Sequence, residues 1–319
     1  MIDVREAIKS GEIIPKRTLG QCFLTERSFA ERIVRAAELA PGDHVIEVGP
    51  GVCAITGLLC EQARTVTAVE IDNRLTKVIG SSMSRYDNFR LVNADILRVP
   101  ADLLLPGNEP PHSADLTDGG DKERFKSYGG FPGSRAGKEG DTASRIVLVS
   151  NMPYYISTPI MTRLFEEFSF VDMAVLMMQR EVADKLAARP STGNFCLLTV
   201  LAQSFCQPEK LFSVPPHCFT PQPGVESVVM ALTARRPPAF NNAAEKRIFF
   251  QVARAAFARR RKTIENSLMF AGLAQNRAQA ETALARADIP PGARGESLGF
   301  SEFASLARVL ASMPVSIPG

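Results

Sequence analysis

The sequence lacks any apolar run long enough to cross a membrane. The longest run, Met173–Met178, has six residues, whereas a membrane-spanning helix needs about 20. The N-terminal stretch, residues 1–17, also lacks the apolar core of a secretory signal peptide. Together these absences predict a cytoplasmic protein that makes no contact with a membrane.

Residues that bind metals or form disulfide bonds are also few. The six cysteines never occur as Cys-x-x-Cys, and the three histidines are scattered along the chain, so no spacing typical of a zinc site is present. We expect reduced, mostly buried thiols and no metal site. The formal net charge is only +3 at pH 7, so overall charge does not indicate a nucleic-acid partner.

The 319 residues suffice for one large domain and a smaller one. Short runs rich in valine and isoleucine alternate with amphipathic stretches, which predicts a doubly wound, mostly parallel α/β sheet. Strands are expected at Val45–Val48, Thr65–Ile71, Phe89–Val92, Ile146–Ser150 and Met173–Met178, with later strands, antiparallel at one edge, at Lys210–Val214 and Ser227–Leu232. Helices are expected at Ala54–Ala63, Arg74–Ser84, Thr158–Phe168, Arg180–Ala188 and Phe195–Gln203.

Residues 106–144 interrupt this alternation. Glycine and proline supply 12 of these 39 residues, and large apolar side chains are few. Such a segment buries too little surface to offset the entropy lost when it becomes ordered. We expect a flexible insertion, with a lid that gates the substrate as the alternative.

After Pro237-Pro238 the spacing of apolar residues becomes helical and stays so. Helices are expected at Lys246–Met269, Arg277–Ala287 and Ser301–Ala311. The sequence therefore predicts an α/β domain over residues 1–238 and a small all-helical domain over residues 239–319.

A cofactor pocket is indicated where the predicted strands end. The first strand runs into a glycine-rich turn at Gly49-Pro50-Gly51, where a ligand can approach the backbone closely. Glu70 ends the second strand and can accept hydrogen bonds from a ribose, and Asp95 follows the third strand and can accept from an adenine amino group. The same pattern fits a NAD-dependent dehydrogenase, so these residues leave the cofactor open.

The fourth strand runs into Asn151-Met152-Pro153-Tyr154, which favours chemistry on an exocyclic amine. The lone pair of such an amine is delocalised into the base, so two acceptors on its hydrogens would promote attack. The Asn151 side chain and the Met152 carbonyl can supply them, while Pro153 stiffens the loop. Tyr154 offers a ring on which an extruded adenine can stack. A plain turn is the alternative reading of this tetrapeptide.

Taken together, these motifs resemble the ribosomal RNA adenine dimethylase family, most closely its bacterial small-subunit type. The similarity covers nearly the whole chain outside residues 106–144. It is carried by Lys16–Leu24, Glu47–Gly51, Glu70-Ile71-Asp72, Asp95, Asn151–Ser157, Val214–Pro216, Phe219–Pro223 and Ala256–Ile264. The resemblance implies a Rossmann-like class I methyltransferase sheet that uses S-adenosyl-L-methionine.

The resemblance also implies roles for individual residues. The implied cofactor-binding residues are Cys22, Leu24, Gly49, Glu70, Asp95 and Asn151, and the implied catalytic residues are Asn151, Pro153, Tyr154 and Phe219. Phe219 is expected on an exposed loop, where it would cover the second face of the target adenine. Two positions depart from the family pattern: Cys22 stands where Asn or His is usual, which leaves a backbone contact there, and Tyr155 stands where Asn is common.

A basic stretch near the start of the helical region indicates a phosphate-binding surface. Seven basic residues lie between Glu245 and Glu265, four of them consecutive. Because neighbouring helix residues point in different directions, we expect some to pack against the α/β domain and others to face RNA. The predicted RNA-binding residues are Lys16, Arg17, Arg259, Arg260, Arg261 and Lys262.

The resemblance implies N6,N6-dimethylation of two adjacent adenines near the 3′ end of small-subunit (16S) rRNA during late 30S biogenesis. The expected partner is the small ribosomal subunit, and the chain is expected to be monomeric. Three alternatives stay open: a large-subunit (23S) rRNA adenine methyltransferase, a non-catalytic ribosome assembly factor of the same fold and, more distantly, the dehydrogenase.

Overall fold

The computed structural model describes residues 4–10, 13–16, 19–108, 144–236 and 238–313. Arg17 and residues 109–143 of the predicted insertion lie outside the described residues. The strands are β1 Phe23–Leu24, β2 His44–Val48, β3 Thr65–Glu70, β4 Phe89–Asn93, β5 Ile146–Asn151, β6 Met173–Gln179, β7 Cys206–Val214, β8 Phe219–Thr220 and β9 Ser227–Ala234. The helices are α1 Val4–Lys9, α2 Arg27–Ala36, α3 Thr56–Cys60, α4 Asn73–Met83, α5 Ser157–Glu167, α6 Arg180–Leu186, α7 Leu197–Phe205, α8 Ala243–Ala258, α9 Ile264–Phe270, α10 Arg277–Arg286 and α11 Phe300–Ser312.

The described residues form two compact units. The first lies within 1–183 and 209–233, and the second within 184–208 and 234–319. In the second unit, α7 packs against α8 and α11. The domain boundary between residues 238 and 239 stays a prediction.

The first unit is built on a seven-stranded sheet of order β4-β3-β2-β5-β6-β9-β7. Strands β4, β3, β2, β5 and β6 pair in parallel, and β9 pairs antiparallel with β6. The prediction of a mostly parallel sheet with an antiparallel strand towards one edge is thus confirmed. Because the central strands are buried on both faces, they are almost continuously apolar, as in Val147–Val149. The carboxyl ends of β2, β3, β4 and β5 share one edge of the sheet.

A second, two-stranded sheet joins the N-terminal segment to the region after β7. In it, β1 pairs antiparallel with β8, which sets Phe23 opposite Thr220 and Leu24 opposite Phe219. These residues are nearly 200 positions apart in the chain, so the pairing could not be predicted from local sequence. The pairing fixes residues 22–24 against the main body of the first unit.

The long helix predicted over Lys246–Met269 is wrong, because two helices occupy this stretch. Helix α8 ends at Ala258, and Arg259 adopts φ −132° and ψ 63°. Thr263 then caps α9 by accepting a hydrogen bond from the Asn266 N–H, and Thr263 also forms a β-bridge with Arg294. The four consecutive basic residues therefore lie in the connection between two helices rather than on a helix face.

No helix among the described residues is both long and apolar enough to span a lipid bilayer. The six cysteines are all unpaired thiols, and four of them are buried: Cys53, Cys60, Cys206 and Cys218. They act as small apolar residues of the core.

Candidate active site

A cleft opens where the carboxyl ends of β2, β3, β4 and β5 converge. It comprises about 900 Å³ of space including its open mouth. The cleft walls include all six predicted cofactor-binding residues and three of the four predicted catalytic ones: Cys22, Leu24, Gly49, Glu70, Asp95, Asn151, Pro153 and Tyr154. The cleft therefore lies at the carboxyl ends of the strands, as expected for a ligand site in an open α/β sheet.

The glycine-rich turn after β2 needs its glycines for two reasons. Gly49 and Gly51 adopt positive φ angles of 65° and 57°, a conformation that other residues reach at a cost. A Cβ on Gly49 would also lie 3.3 Å from Cγ of Pro153, and one on Gly51 would lie 3.2 Å from the Phe23 ring. The turn is thus packed between the N-terminal segment and the loop that follows β5.

Glu70 is held at the tip of β3 by two backbone donors. Its Oε1 accepts from the Asp72 N–H at 2.9 Å, and its Oε2 accepts from the Gly51 N–H at 3.4 Å. Burial raises the pKa of this carboxyl, and the two backbone hydrogen bonds oppose that effect. Each carboxylate oxygen keeps a further lone pair, so Glu70 is oriented to accept two more hydrogen bonds from a ligand.

Asp72 ties the N-terminal segment to the same strand end. Hydrogen bonds from Arg74 hold the pKa of the Asp72 carboxyl well below its usual range. Asp72 also accepts from the Gln21 side chain at 3.2 Å and forms an ion pair with Lys16 at 3.5 Å. The charge of Lys16, predicted to contact RNA, is thus paired within the first unit.

The loop after β5 is anchored at both ends. The Met152 N–H donates to the Met177 carbonyl at 2.9 Å. The Ser157 hydroxyl, at the start of α5, donates to the Pro153 carbonyl at 3.0 Å. The Asn151 amide nitrogen donates to the Cys22 carbonyl at 3.4 Å. Because that nitrogen is engaged, the side-chain oxygen of Asn151 is left as the group that can accept from an amine.

Tyr154 is fixed through its hydroxyl, which lies 2.6 Å from the Ser227 hydroxyl. Burial raises the pKa of Tyr154 to about 12, so the phenol stays neutral at physiological pH. The half-buried ring borders the cleft and cannot swing away without breaking this hydrogen bond. Its position suits a stacking surface.

Asp95, Leu24 and Cys22 border the cleft in different ways. Asp95 accepts from the Leu97 N–H at 2.9 Å and is only half-buried, so part of its carboxylate faces solvent. Leu24 is buried. Burial raises the pKa of the Cys22 thiol, and the contact of Cys22 with Asn151 runs through its carbonyl, in line with a backbone role.

Comparison with known proteins places this site in a family. Residues 15–289 match the family described as ribosomal RNA adenine dimethylase. The ribosomal RNA small subunit methyltransferase A of Pelotomaculum thermopropionicum is 39% identical over 95% of this chain and 94% of the relative. The Enterococcus faecalis protein of the same name is 37% identical over 96% and 94%.

The chain belongs to the ribosomal RNA adenine dimethylase family. Solved structures agree with the fold. The 23S rRNA methyltransferase ErmE is 26% identical, with a TM-score of 0.58 and coverage of 90% of this chain and 99% of that one. A dimethyladenosine transferase from Plasmodium falciparum is 21% identical, with a TM-score of 0.63 and coverage of 89% and 95%. The dimethylase assignment makes the chain an S-adenosylmethionine-dependent methyltransferase and excludes the dehydrogenase reading.

The cleft of this dimethylase fits such a cofactor. The close backbone approach at Gly49 suits the methionine part. The oriented carboxylate of Glu70 suits the ribose, and that of Asp95 suits the adenine. Apolar side chains of Ile71, Leu75 and Ile96 complete the walls and suit the faces of a base.

Phe219 is not on an exposed loop, so that expectation is wrong. Its side chain is 1% exposed and belongs to the main hydrophobic core. It is covered because β8 pairs with β1. Phe219 also borders a separate, shallow pocket with His217, Thr220 and Gln222. Its stacking role stays a prediction.

Glu47 borders the cleft, although it had no predicted role beyond membership of the Glu47–Gly51 motif. It lies in β2 among apolar neighbours and is 1% exposed. One oxygen accepts from the Thr56 hydroxyl at 3.2 Å, whereas Oε2 has no hydrogen-bond partner among the described residues. Burial raises the pKa of Glu47 to about 8. An acid within an otherwise apolar strand was the available signal.

We expect Glu47→Gln to stabilise the cofactor-free dimethylase in a pH-dependent way. The pKa of Glu47 is about 8 when folded, against a usual value of 4.5. The charge of Glu47 therefore adds no cost to folding below pH 4.5, and the cost of ionisation grows until the pH exceeds 8. The free energy of unfolding of the variant, relative to wild type, should rise by about 1.4 kcal/mol per pH unit in this window. Urea titrations at pH 5, 6, 7 and 8 measure this free energy for both proteins. A difference between them that does not change with pH would contradict the raised pKa of Glu47.

In the second unit of the dimethylase, Arg259, Arg260, Arg261 and Lys262 are all exposed. Arg260 forms an ion pair with Glu296 at 3.4 Å, while Arg261 and Lys262 form no ion pair with any residue that the structure describes. The Lys262 N–H donates to the Arg259 carbonyl at 2.8 Å. We call residues 259–262 the basic turn.

Proposed function

We propose that this chain transfers methyl groups from S-adenosylmethionine to the N6 amines of two adjacent adenines near the 3′ end of small-subunit (16S) rRNA, giving N6,N6-dimethyladenosine. The match to the adenine dimethylase family and relatives named small-subunit methyltransferases support this substrate. We further propose that it acts late in 30S biogenesis, in the cytoplasm, as a monomer and without a metal ion.

The observation that carries the proposal is the anchored Asn151–Tyr154 loop at the rim of the cleft. In this proposal the Asn151 side-chain oxygen and the Met152 carbonyl accept the two hydrogens of the target amine. They draw its nitrogen toward sp³ geometry and localise its lone pair for attack. Orientation and fixed dipoles of this kind supply much of the acceleration in enzymes.

The remaining cleft residues hold the two reactants. S-adenosylmethionine supplies an electrophilic methyl group on a sulfonium sulfur. We propose that Glu70 binds the ribose hydroxyls, Asp95 binds the adenine amino group, and Gly49, Leu24 and the Cys22 backbone border the methionine end. Pro153 keeps the loop rigid and Tyr154 stacks on one face of the target base. Phe219 is proposed to cover the opposite face.

We propose that Arg259, Arg260, Arg261 and Lys262 bind rRNA phosphates. Their exposure and the scarcity of neighbouring acids support this role. Lys16 is proposed to contribute weakly because Asp72 already neutralises part of its charge. Arg17 is kept as a predicted RNA contact from its place in the sequence.

Methyl transfer from labelled cofactor to undermethylated small ribosomal subunits, compared with large-subunit RNA, tests the proposal. We expect label in the small subunit only. Label confined to large-subunit RNA would instead support the 23S alternative, for which ErmE is the relevant similarity. Cofactor binding without any transfer would support the assembly-factor alternative.

A further inference from the structure

An exposed aromatic ring lies beside the basic turn. Phe270, the last residue of α9, is 65% exposed. The guanidinium carbon of Arg259 lies 3.2 Å from the centroid of its ring. A ring with one face covered can be this exposed only if its opposite face and edge are open to solvent. The outer face of the ring is therefore accessible to a flat ligand.

The stacked pair presents two kinds of surface at one place. The outer face of Phe270 is planar and apolar and can take a base of any sequence. Arg259 uses its flat face on the ring, so its N–H groups, which lie in the guanidinium plane, stay available to a phosphate. An aromatic face beside a phosphate fork matches one unpaired nucleotide better than it matches a duplex, whose bases are already stacked.

Backbone contacts hold the segment between Arg259 and Phe270 in place. Thr263 is bridged to Arg294 across the basic turn, and the Ile264 N–H donates to the Ala293 carbonyl at 2.8 Å. A Cβ on Gly295 would lie 2.7 Å from Cβ of Ala256 in α8, so the segment around residue 295 packs tightly onto that helix. A backbone held in this way loses little further entropy when a ligand binds.

We propose that Arg259 and Phe270 form a binding site for one unpaired nucleotide of the substrate RNA, with the base on Phe270 and a phosphate on Arg259. The identity of the ligand as RNA rests on the proposed function. Arg261 and Lys262, adjacent in the basic turn, supply additional positive charge to the flanking phosphates.

Fluorescence offers a direct test because the chain has no tryptophan. Phe270→Trp introduces a single reporter, and Ala285→Trp, on the exposed side of α10, is the matched control. Titration with a single-stranded 12-nucleotide RNA should quench the reporter at position 270 and leave the one at position 285 unchanged. Equal quenching at both positions, or none at position 270, would overturn the proposal.

Affinity measurements separate stacking from charge. Phe270→Leu should weaken binding of the same RNA roughly 5- to 100-fold, the range for loss of one base–aromatic stack, with an unchanged salt dependence. Phe270→Tyr should retain the affinity. Arg259→Ala should weaken binding. It should also reduce the magnitude of the negative slope of the log association constant against log salt concentration by about 1. Wild-type affinity for Phe270→Leu, with an unchanged melting temperature, would refute the site.

The two proposals can fail separately. Normal labelling of small subunits combined with wild-type RNA affinity of Phe270→Leu would reject the nucleotide site and keep the proposed function. Weakened RNA binding by Phe270→Leu in a protein that labels no ribosomal RNA would keep the site and reject the function.

Discussion

Replacing Asn151 with alanine should slow methyl transfer by roughly 10²- to 10³-fold, the usual loss when one preorganised polar group is removed from a reacting centre. The reason is specific to the target amine. Without the Asn151 oxygen, only the Met152 carbonyl would hold the amine, and its lone pair would stay delocalised into the base. Single-turnover labelling of undermethylated small subunits at saturating cofactor measures this step.

The substitution should leave RNA binding intact. Affinity for RNA should stay within a factor of about 2, because the proposed phosphate contacts lie in the basic turn. Asn194→Ala, at an exposed position of the second unit, is the matched control and should behave as wild type. Unchanged turnover in Asn151→Ala would refute the acceptor role, and loss of RNA binding would show a structural role instead.

Replacing Glu70 with alanine should weaken cofactor binding by at least roughly 100-fold. Two charge-assisted hydrogen bonds to the ribose would be lost, each worth about 1.5–3 kcal/mol. The Gly51 and Asp72 N–H groups would also lose the acceptor that orients them. Isothermal titration with S-adenosylmethionine measures the dissociation constant.

Two further variants calibrate the Glu70 result. Glu70→Gln keeps the shape and one acceptor, so its affinity should lie between those of wild type and Glu70→Ala. Glu209→Ala, at an exposed position of β7, should bind the cofactor normally. If Glu70→Ala bound the cofactor as tightly as wild type, the ribose would have to be held elsewhere in the cleft.

The cleft was predictable because its chemistry lies at the ends of strands. Gly49, Glu70, Asp95 and Asn151 each follow a short apolar run, and parallel strands bring their carboxyl ends to one edge. Local sequence thus determined which residues meet. Helix α2 was not predicted, although its buried residues Ala30, Ile33 and Val34 follow helical spacing.

What could not be predicted depends on contacts between distant residues. The burial of Phe219 follows from the pairing of β8 with β1, whereas its flanking prolines indicated an exposed loop. The break before α9 depends on Thr263 meeting Arg294, 31 positions further along the sequence. Residues 246–269 taken alone favour one continuous helix, because every residue of the basic turn forms helices readily.

The hydrogen bond from Asn151 to the Cys22 carbonyl is another contact between residues far apart in the sequence. The sequence predicted a backbone contact of Cys22 with the cofactor, which stays a prediction, whereas the structure shows a contact of its carbonyl with Asn151. Gln21, the neighbour of Cys22, is tied to Asp72 at 3.2 Å. The N-terminal segment is therefore part of the site, although it precedes every strand of the main sheet.

The most direct test of the central claim is nucleoside mapping of small-subunit rRNA after incubation of undermethylated subunits with the enzyme and S-adenosylmethionine. Mass spectrometry of defined fragments would identify both the modified base and its position. We expect N6,N6-dimethyladenosine at two adjacent adenines near the 3′ end, formed by wild type and not by Asn151→Ala in the same time. Methyl groups on any atom other than adenine N6, or only on large-subunit rRNA, would contradict it.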